Sequence, residues 1–149
     1  MSMLSKAFSC LLLAASAAAA LEKEFVDQMV QSSQNLERDA ASVSRALRTK
    51  TIDPADVTNR IEAMNADIVK LRELVQQFDA THPELSERDR SAWRLLKDKV
   101  HIIEAFHGQK KSMANADIDK NRSSIRALAD GVALRAKKLQ QSAAILRRG

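Results

Sequence analysis

The sequence predicts an all-α protein, an antiparallel up-down-up-down four-helix bundle preceded by a signal peptide. Only three Gly and two Pro occur in 149 residues, and aromatic residues make up 3% of the chain. Such a composition favours helices, because sheets draw on aromatic and β-branched residues and need frequent turns. Apolar residues also recur at spacings of three and four in four segments of similar length, which is typical of amphipathic helices.

The first 20 residues have the layout of a cleavable secretory signal. Lys6 is the only charge before an apolar and small-residue run over 8–20, and Glu22 then begins a charged segment. This run is shorter than the ~20 residues that a membrane-spanning helix needs. We therefore expect residues 1–20 to be a signal peptide, cleaved after Ala20 or alternatively after Ala17. Residues 21–149 would form the helical bundle domain of a periplasmic or secreted protein.

The single cysteine, Cys10, lies in this leader. Its removal would leave no thiol in the mature chain for a disulfide, a thiolate metal site or a nucleophile.

The first two helices are separated by a clear boundary. No Gly or Pro interrupts residues 21–50. Asp53 is a good N-cap and Pro54 suits the first position of a second helix, which we expect to end near Phe78. The stripe predicted for the first helix is Phe25, Met29, Ser32, Leu36, Ala40, Val43 and Leu47. The stripe of the second helix has the alternating spacing of coiled-coil packing: Val57, Ile61, Met64, Ile68, Leu71, Val75 and Phe78.

The third helix is predicted to begin near Glu87, with Ser86 as its N-cap. Its apolar residues cover nearly half of the circumference, so we expect it to be the most buried helix. They are Ala92, Trp93, Leu95, Leu96, Val100, Ile102, Ile103 and Phe106. A helix unbroken from Glu87 to Arg147 would be roughly 90 Å long at 1.5 Å per residue, twice the length of its partners. A reversal is therefore predicted within residues 108–119.

The fourth helix combines an apolar stripe with a basic outer face. The stripe consists of Ile125, Leu128, Ala129, Val132, Ala136, Leu139, Ala143 and Leu146. Leu134 and Ile145 fall outside it, which leaves homo-oligomerisation open.

Charge is unevenly distributed between the helices. Residues 51–79 hold six acids and three bases, whereas residues 119–149 hold two acids and eight bases. We expect the acidic second helix to lie beside the basic last helix. The candidate partner-binding residues are those of the basic face, namely Arg122, Arg126, Lys137 and Lys138. They would attract an acidic protein or an anionic envelope component, unless the face is merely solvated or paired with acids. Nucleic acid is not expected as a partner of an exported chain.

A haem site is the main cofactor alternative. His107 lies within the apolar arc of the third helix, and Met29 or Met64 would be its partner ligand. The chain is similar to small exported four-helix b-type cytochromes in its size and in the early position of Met29. Those proteins take their histidine from the last helix, which has none here, and no C-x-x-C-H sequence is present for covalent attachment. His82, which precedes Pro83, is expected to be solvated.

No motif in the sequence indicates catalysis. It has no Glu-x-x-His motif, no nucleophile elbow and no glycine-rich phosphate loop. The leading hypothesis is a non-catalytic exported bundle that acts through protein or envelope-surface contacts, as a chaperone-like, adaptor or structural module, without a cofactor. The alternatives are a bundle that binds haem or a small apolar ligand, and association of the C-terminal helix with anionic membranes.

Overall fold

The computed structural model describes residues 2–113 and 117–148, with side chains for residues 23–105 and 117–145. Within these ranges the protein consists of four helices and no strand. They are α1 (Ser2–Ala46), α2 (Pro54–Thr81), α3 (Glu87–Met113) and α4 (Arg122–Arg148). None of the helices, as far as the chain is described, carries an apolar stretch long enough to cross a membrane. α1 continues without interruption across the cleavage positions predicted after Ala17 and Ala20.

The four helices pack in a ring around one core. α1 packs against α2 and α4, and α3 packs against the same two helices. Phe25 of α1 and Trp93 of α3 nevertheless meet across the ring, with centroids 5.5 Å apart. The stripe predicted for α2 is confirmed in full, because all seven of its residues are buried. On α4 the stripe from Ile125 to Ala143 is also buried, apart from the half-buried Leu128.

The predicted helix boundaries are correct where caps define them. The Asp53 side chain accepts hydrogen bonds from the backbone N–H groups of Ala55 and Asp56, at 3.1 and 3.4 Å. Ser86 accepts one from Asp89 at 3.2 Å, which fixes the start of α3. These bonds satisfy N–H groups that have no partner inside the helix.

α3 ends late in the range predicted for a reversal, and α4 begins just after that range. Gly108 lies inside α3, which continues to Met113. The turn that follows includes Asp117, whose side chain accepts a hydrogen bond from the Asp119 N–H at 3.1 Å. A single glycine in a helix costs about 1 kcal/mol, which is too little to end a helix whose stripe is packed.

The prediction that α3 is the most buried helix is wrong. Trp93, Leu96, Val100 and Ile103 are buried, but the side chains of Leu95 and Ile102 are 53% and 48% exposed. α3 has a helix neighbour on only two sides, so the wide apolar arc is broader than the strip that those neighbours can cover. On α1, Ser33 is buried in place of the predicted Ser32.

The prediction that acidic α2 lies beside basic α4 is also wrong. Within the described residues their backbones do not approach each other, and α4 packs against α1 and α3. The apolar stripes determine this arrangement, because burying one side chain contributes more than the ~0–1 kcal/mol of an exposed ion pair.

Candidate functional site

Exposed apolar side chains lie on the outer faces of α3 and α4. On α3, Lys97 forms an ion pair with Asp79 of α2, with the Lys97 Nζ 2.5 Å from the Asp79 Oδ2. Leu95 and Ile102 lie about 140–160° around the helix from Lys97, at 100° per residue. They therefore point away from α2, toward the side on which α4 packs.

The same reasoning applies to α4. The Gln140 side-chain amide donates to the Glu37 carboxylate of α1 at 2.6 Å. Leu134 and Ile145 lie about 120–140° around the helix from Gln140, and are 53% and 70% exposed. They also lie about 160–180° from the buried Ala136, so they point outward from the core on the outer face of α4.

We call these four residues, Leu95, Ile102, Leu134 and Ile145, the outer strip. They are the exposed large hydrophobic residues of the part of the chain whose side chains are described. Two helices contribute to the strip. On α4, Leu134 and Ile145 lie within about 20° of each other at 100° per residue, so they form one outer apolar face, and an apolar face of this kind marks a contact surface.

Three of the four predicted partner-binding residues are free to contact a partner. Arg126, Lys137 and Lys138 are exposed and form no ion pair within the described ranges. Lys138 lies one helical turn after Leu134 and seven residues before Ile145, so the charge lies within the outer strip. The chain contains no acid after Asp130, and Asp130 itself lies 3.9 Å from an Arg48 nitrogen.

Arg122 differs from the other three. Its guanidinium donates to the backbone carbonyl of Thr49 at 3.0 Å and to the Asp119 carboxylate at 3.0 Å. It thus ties the start of α4 to the residues that follow α1, and its side chain is only 31% exposed. Sequence reasoning grouped Arg122 with the free bases because the contact with Thr49 joins positions 73 residues apart.

The candidate haem ligands are only partly described. Met29 and Met64 are fully buried core residues of α1 and α2, as their places in the apolar stripes predict. The side chain of His107 lies outside the described residues. The two methionines are therefore core residues, and a haem site with His107 as a ligand stays a prediction.

The sequence predicted a solvated His82, but its side chain is half-buried. Its ring stacks on Phe78, with centroids 4.2 Å apart and planes 11° apart. The ring Nδ1 lies 2.9 Å from the Thr81 hydroxyl. Phe78 also packs against Phe25 and Trp93, so these rings close one end of the bundle. The sequence shows each aromatic residue but not that three helices bring them together.

Asp79 connects α2 to α3 next to this aromatic cluster. It accepts a hydrogen bond from the Trp93 indole at 2.7 Å and pairs with Lys97. Burial by itself raises the pKa of Asp79, but the hydrogen bonds from Lys97 and Trp93 and the Lys97 charge outweigh it and hold the pKa below its usual range.

Asp67 of α2 faces Asp39 of α1 at the interface between these helices. Burial, a hydrogen bond shared with Asp39 and the charge of Asp39 raise the pKa of Asp67 to about 7, against the opposing charges of Lys70 and Arg38. The Asp67 Oδ2 atom is buried without a hydrogen-bond partner in the described part of the chain. No group of three or more His, Cys, Asp or Glu side chains within those residues is arranged to hold a metal ion.

A polar groove of 640 Å³ also runs between α1 and α2, lined mainly by amides and by charges of both signs. Its lining includes Gln28, Gln31, Asn35, Lys70 and Gln77. It has no cluster of one charge sign, so it specifies no ligand class.

No family model, no curated protein and no solved structure matches this chain.

Proposed function

We propose that the protein is a non-catalytic, exported four-helix bundle that acts by contacting an anionic protein or envelope component through the outer surface of α3 and α4. The observation that carries the proposal is the outer strip together with its unpaired bases. Exposed Leu134 and Ile145 flank Lys138 on a helix segment that carries no acid after Asp130. An apolar surface bordered by charge of one sign is suited to contact an anionic amphipathic surface.

The proposed topology is up-down-up-down, as the lengths of the helices suggest. Three contacts support it. Gln140, late in α4, bonds Glu37 of α1, while Arg122 at the start of α4 bonds the chain beyond the end of α1. Asp79 near the end of α2 bonds Trp93 near the start of α3. In this topology Ile145 lies at the same end of the bundle as Leu95, and Leu134 lies farther along, so the outer strip extends along the outer faces of α3 and α4.

The test is salt-dependent binding of the purified full chain to membrane and soluble envelope fractions of its source cell. We expect binding to fall with added salt and to be lost in the double variant Lys137→Glu/Lys138→Glu. The matched control is Lys70→Glu/Arg72→Glu, which makes the same charge change at exposed positions of α2, a helix that does not pack against α4.

The two double variants separate a local surface from general charge. If both lose binding equally, net charge and not the α4 surface is responsible. If the lysine variant binds every fraction as the unaltered chain does, the proposed function is overturned.

A further inference from the structure

We propose that the outer strip and the lysines beside it bind the surface of an anionic lipid bilayer. This inference rests on the proposed function and identifies the partner. In it, Leu134 and Ile145 enter the boundary between headgroups and acyl chains. Lys137 and Lys138 meet the anionic headgroups around them.

The geometry of α4 suits a helix that lies in the plane of the membrane surface. Leu134 and Ile145 are eleven residues apart, which corresponds to about 17 Å along the axis, and both lie on the outer face. Lys138 lies between them, and its four-carbon stem can lie along apolar surface while the ammonium stays with the headgroups. The side chains of the strip are already exposed, so binding requires no opening of the bundle.

The distribution of charge centres this contact on α4. From residue 131 to the end of the chain there are five bases and no acid. On α3, by contrast, exposed Asp98 lies between Leu95 and Ile102. The α3 side of the strip therefore adds apolar contact at the margin, and the α4 side provides the attraction to negative charge.

The composition of the strip favours lipid over a protein partner. Residues that dominate protein interfaces are Trp, Tyr and Arg, whereas Lys is depleted from them. Here Trp93, Phe25 and Phe78 are all buried in the core, and the outer strip with Lys137 and Lys138 contains neither an aromatic residue nor an arginine. A second copy of the chain is also disfavoured, because two molecules of net charge +5 repel each other.

The experiment measures co-sedimentation of the full chain with vesicles made of equal parts phosphatidylglycerol and phosphatidylcholine, and with vesicles of phosphatidylcholine alone. We expect binding to the anionic vesicles only, and its loss near 1 M salt, where the Debye length is about 3 Å. Lys137→Gln/Lys138→Gln should weaken binding about 30-fold, since each basic residue near an anionic surface contributes roughly fivefold. Leu134→Gln/Ile145→Gln should weaken it about tenfold or more.

The control Lys70→Gln/Arg72→Gln, on α2, should bind as the unaltered chain does. Vesicle binding through residues 1–20 would give a baseline that neither the substitutions nor salt remove. This baseline is subtracted before the variants and the two kinds of vesicle are compared.

Two results would overturn the inference, namely equal binding to both kinds of vesicle or anionic binding unaffected by the Lys137/Lys138 change. Binding of the chain to the envelope fraction that depends on these lysines, without binding to protein-free vesicles, would overturn the lipid assignment. It would leave the proposed function in place with an acidic protein as partner.

Discussion

The α1–α4 and α2–α3 interfaces are built on opposite principles. Among the four pairs of neighbouring helices, the backbones of α1 and α4 approach each other most extensively and those of α2 and α3 least. On α4, Ala129, Ala136 and Ala143 recur every seven residues and are fully buried. On α1, the buried Ser33, Ala40 and Ser44 lie within about 20–60° of Glu37, the residue that contacts α4.

The α2–α3 interface depends on large side chains. Phe78 and Trp93 have ring centroids 4.3 Å apart, and the backbones are held apart by the rings between them. Small residues let two helices approach, whereas large ones set a wider distance. The α1–α4 interface should therefore be sensitive to enlargement of a side chain, and the α2–α3 interface to truncation.

The largest expected effect is truncation at the α2–α3 interface. Trp93→Ala should lower the free energy of unfolding by about 3–5 kcal/mol, because it removes a buried ring and leaves a cavity beside Phe25 and Phe78. Urea denaturation followed by circular dichroism measures this change. The control is Leu95→Ala on the same helix, where the side chain is 53% exposed, with an expected cost well under half as large. Equal costs at the two positions would contradict the assigned faces of α3.

Enlargement at the α1–α4 interface comes next. Ala136→Leu should lower the free energy of unfolding by about 1–3 kcal/mol, because three added carbon atoms have no space where the backbones approach. Ala127→Leu is the matched control, since Ala127 is exposed on the same helix, and it should change stability by about 0.5 kcal/mol or less. A neutral Ala136→Leu would show that the two helices separate easily and that the comparison fails.

The α1–α2 interface has a pH dependence of opposite sign to the one that Asp79 gives the α2–α3 interface. The pKa of Asp67 is about 7 in the folded chain against an ordinary 3.8, so the folded state holds an extra proton between about pH 4 and 7. The free energy of unfolding should therefore fall as the pH rises through this window. Asp67→Asn removes the titrating group and should stabilise the protein by about 1–2 kcal/mol at pH 8.

Denaturation of both proteins at several pH values tests the role of Asp67. The control is Glu62→Gln, which removes an exposed acid of α2 and should leave the pH profile unchanged. If the free energy of unfolding of Asp67→Asn fell with pH as steeply as that of the unaltered chain, another group would be responsible for the pH dependence.

The smallest effect concerns the polar link between α2 and α3. Asp79→Asn should cost about 1 kcal/mol at neutral pH, because it removes the ion pair with Lys97 while the amide oxygen can still accept from Trp93. The pKa of Asp79 is lowered in the folded state, so its contribution is present above about pH 4 and is lost as the pH falls further. The two proteins should therefore converge in acid. Asp98→Asn, at an exposed position of α3, should show no such convergence.

Much of the fold follows from local patterns. The stripe of α2 and the caps at Asp53 and Ser86 depend on neighbouring residues only, and the structure confirms them. The predicted burial of α3 is wrong because periodicity gives the width of an apolar arc and not the number of helices that cover it. Arg122 likewise has a local partner in Asp119 that its spacing could suggest, and a distant one in the Thr49 carbonyl that no spacing could.

The sequence by itself determined four amphipathic helices, where two of them begin, and which residues of α2 enter the core. Those features depend on interactions between residues a few positions apart and on the period of the helix. Only the tertiary structure decided that α4 packs against α1 and α3, and that Asp67 faces Asp39. Such features depend on which helices become neighbours. Neighbours are selected by the fit of whole stripes, large against large and small against small, and not by any single residue.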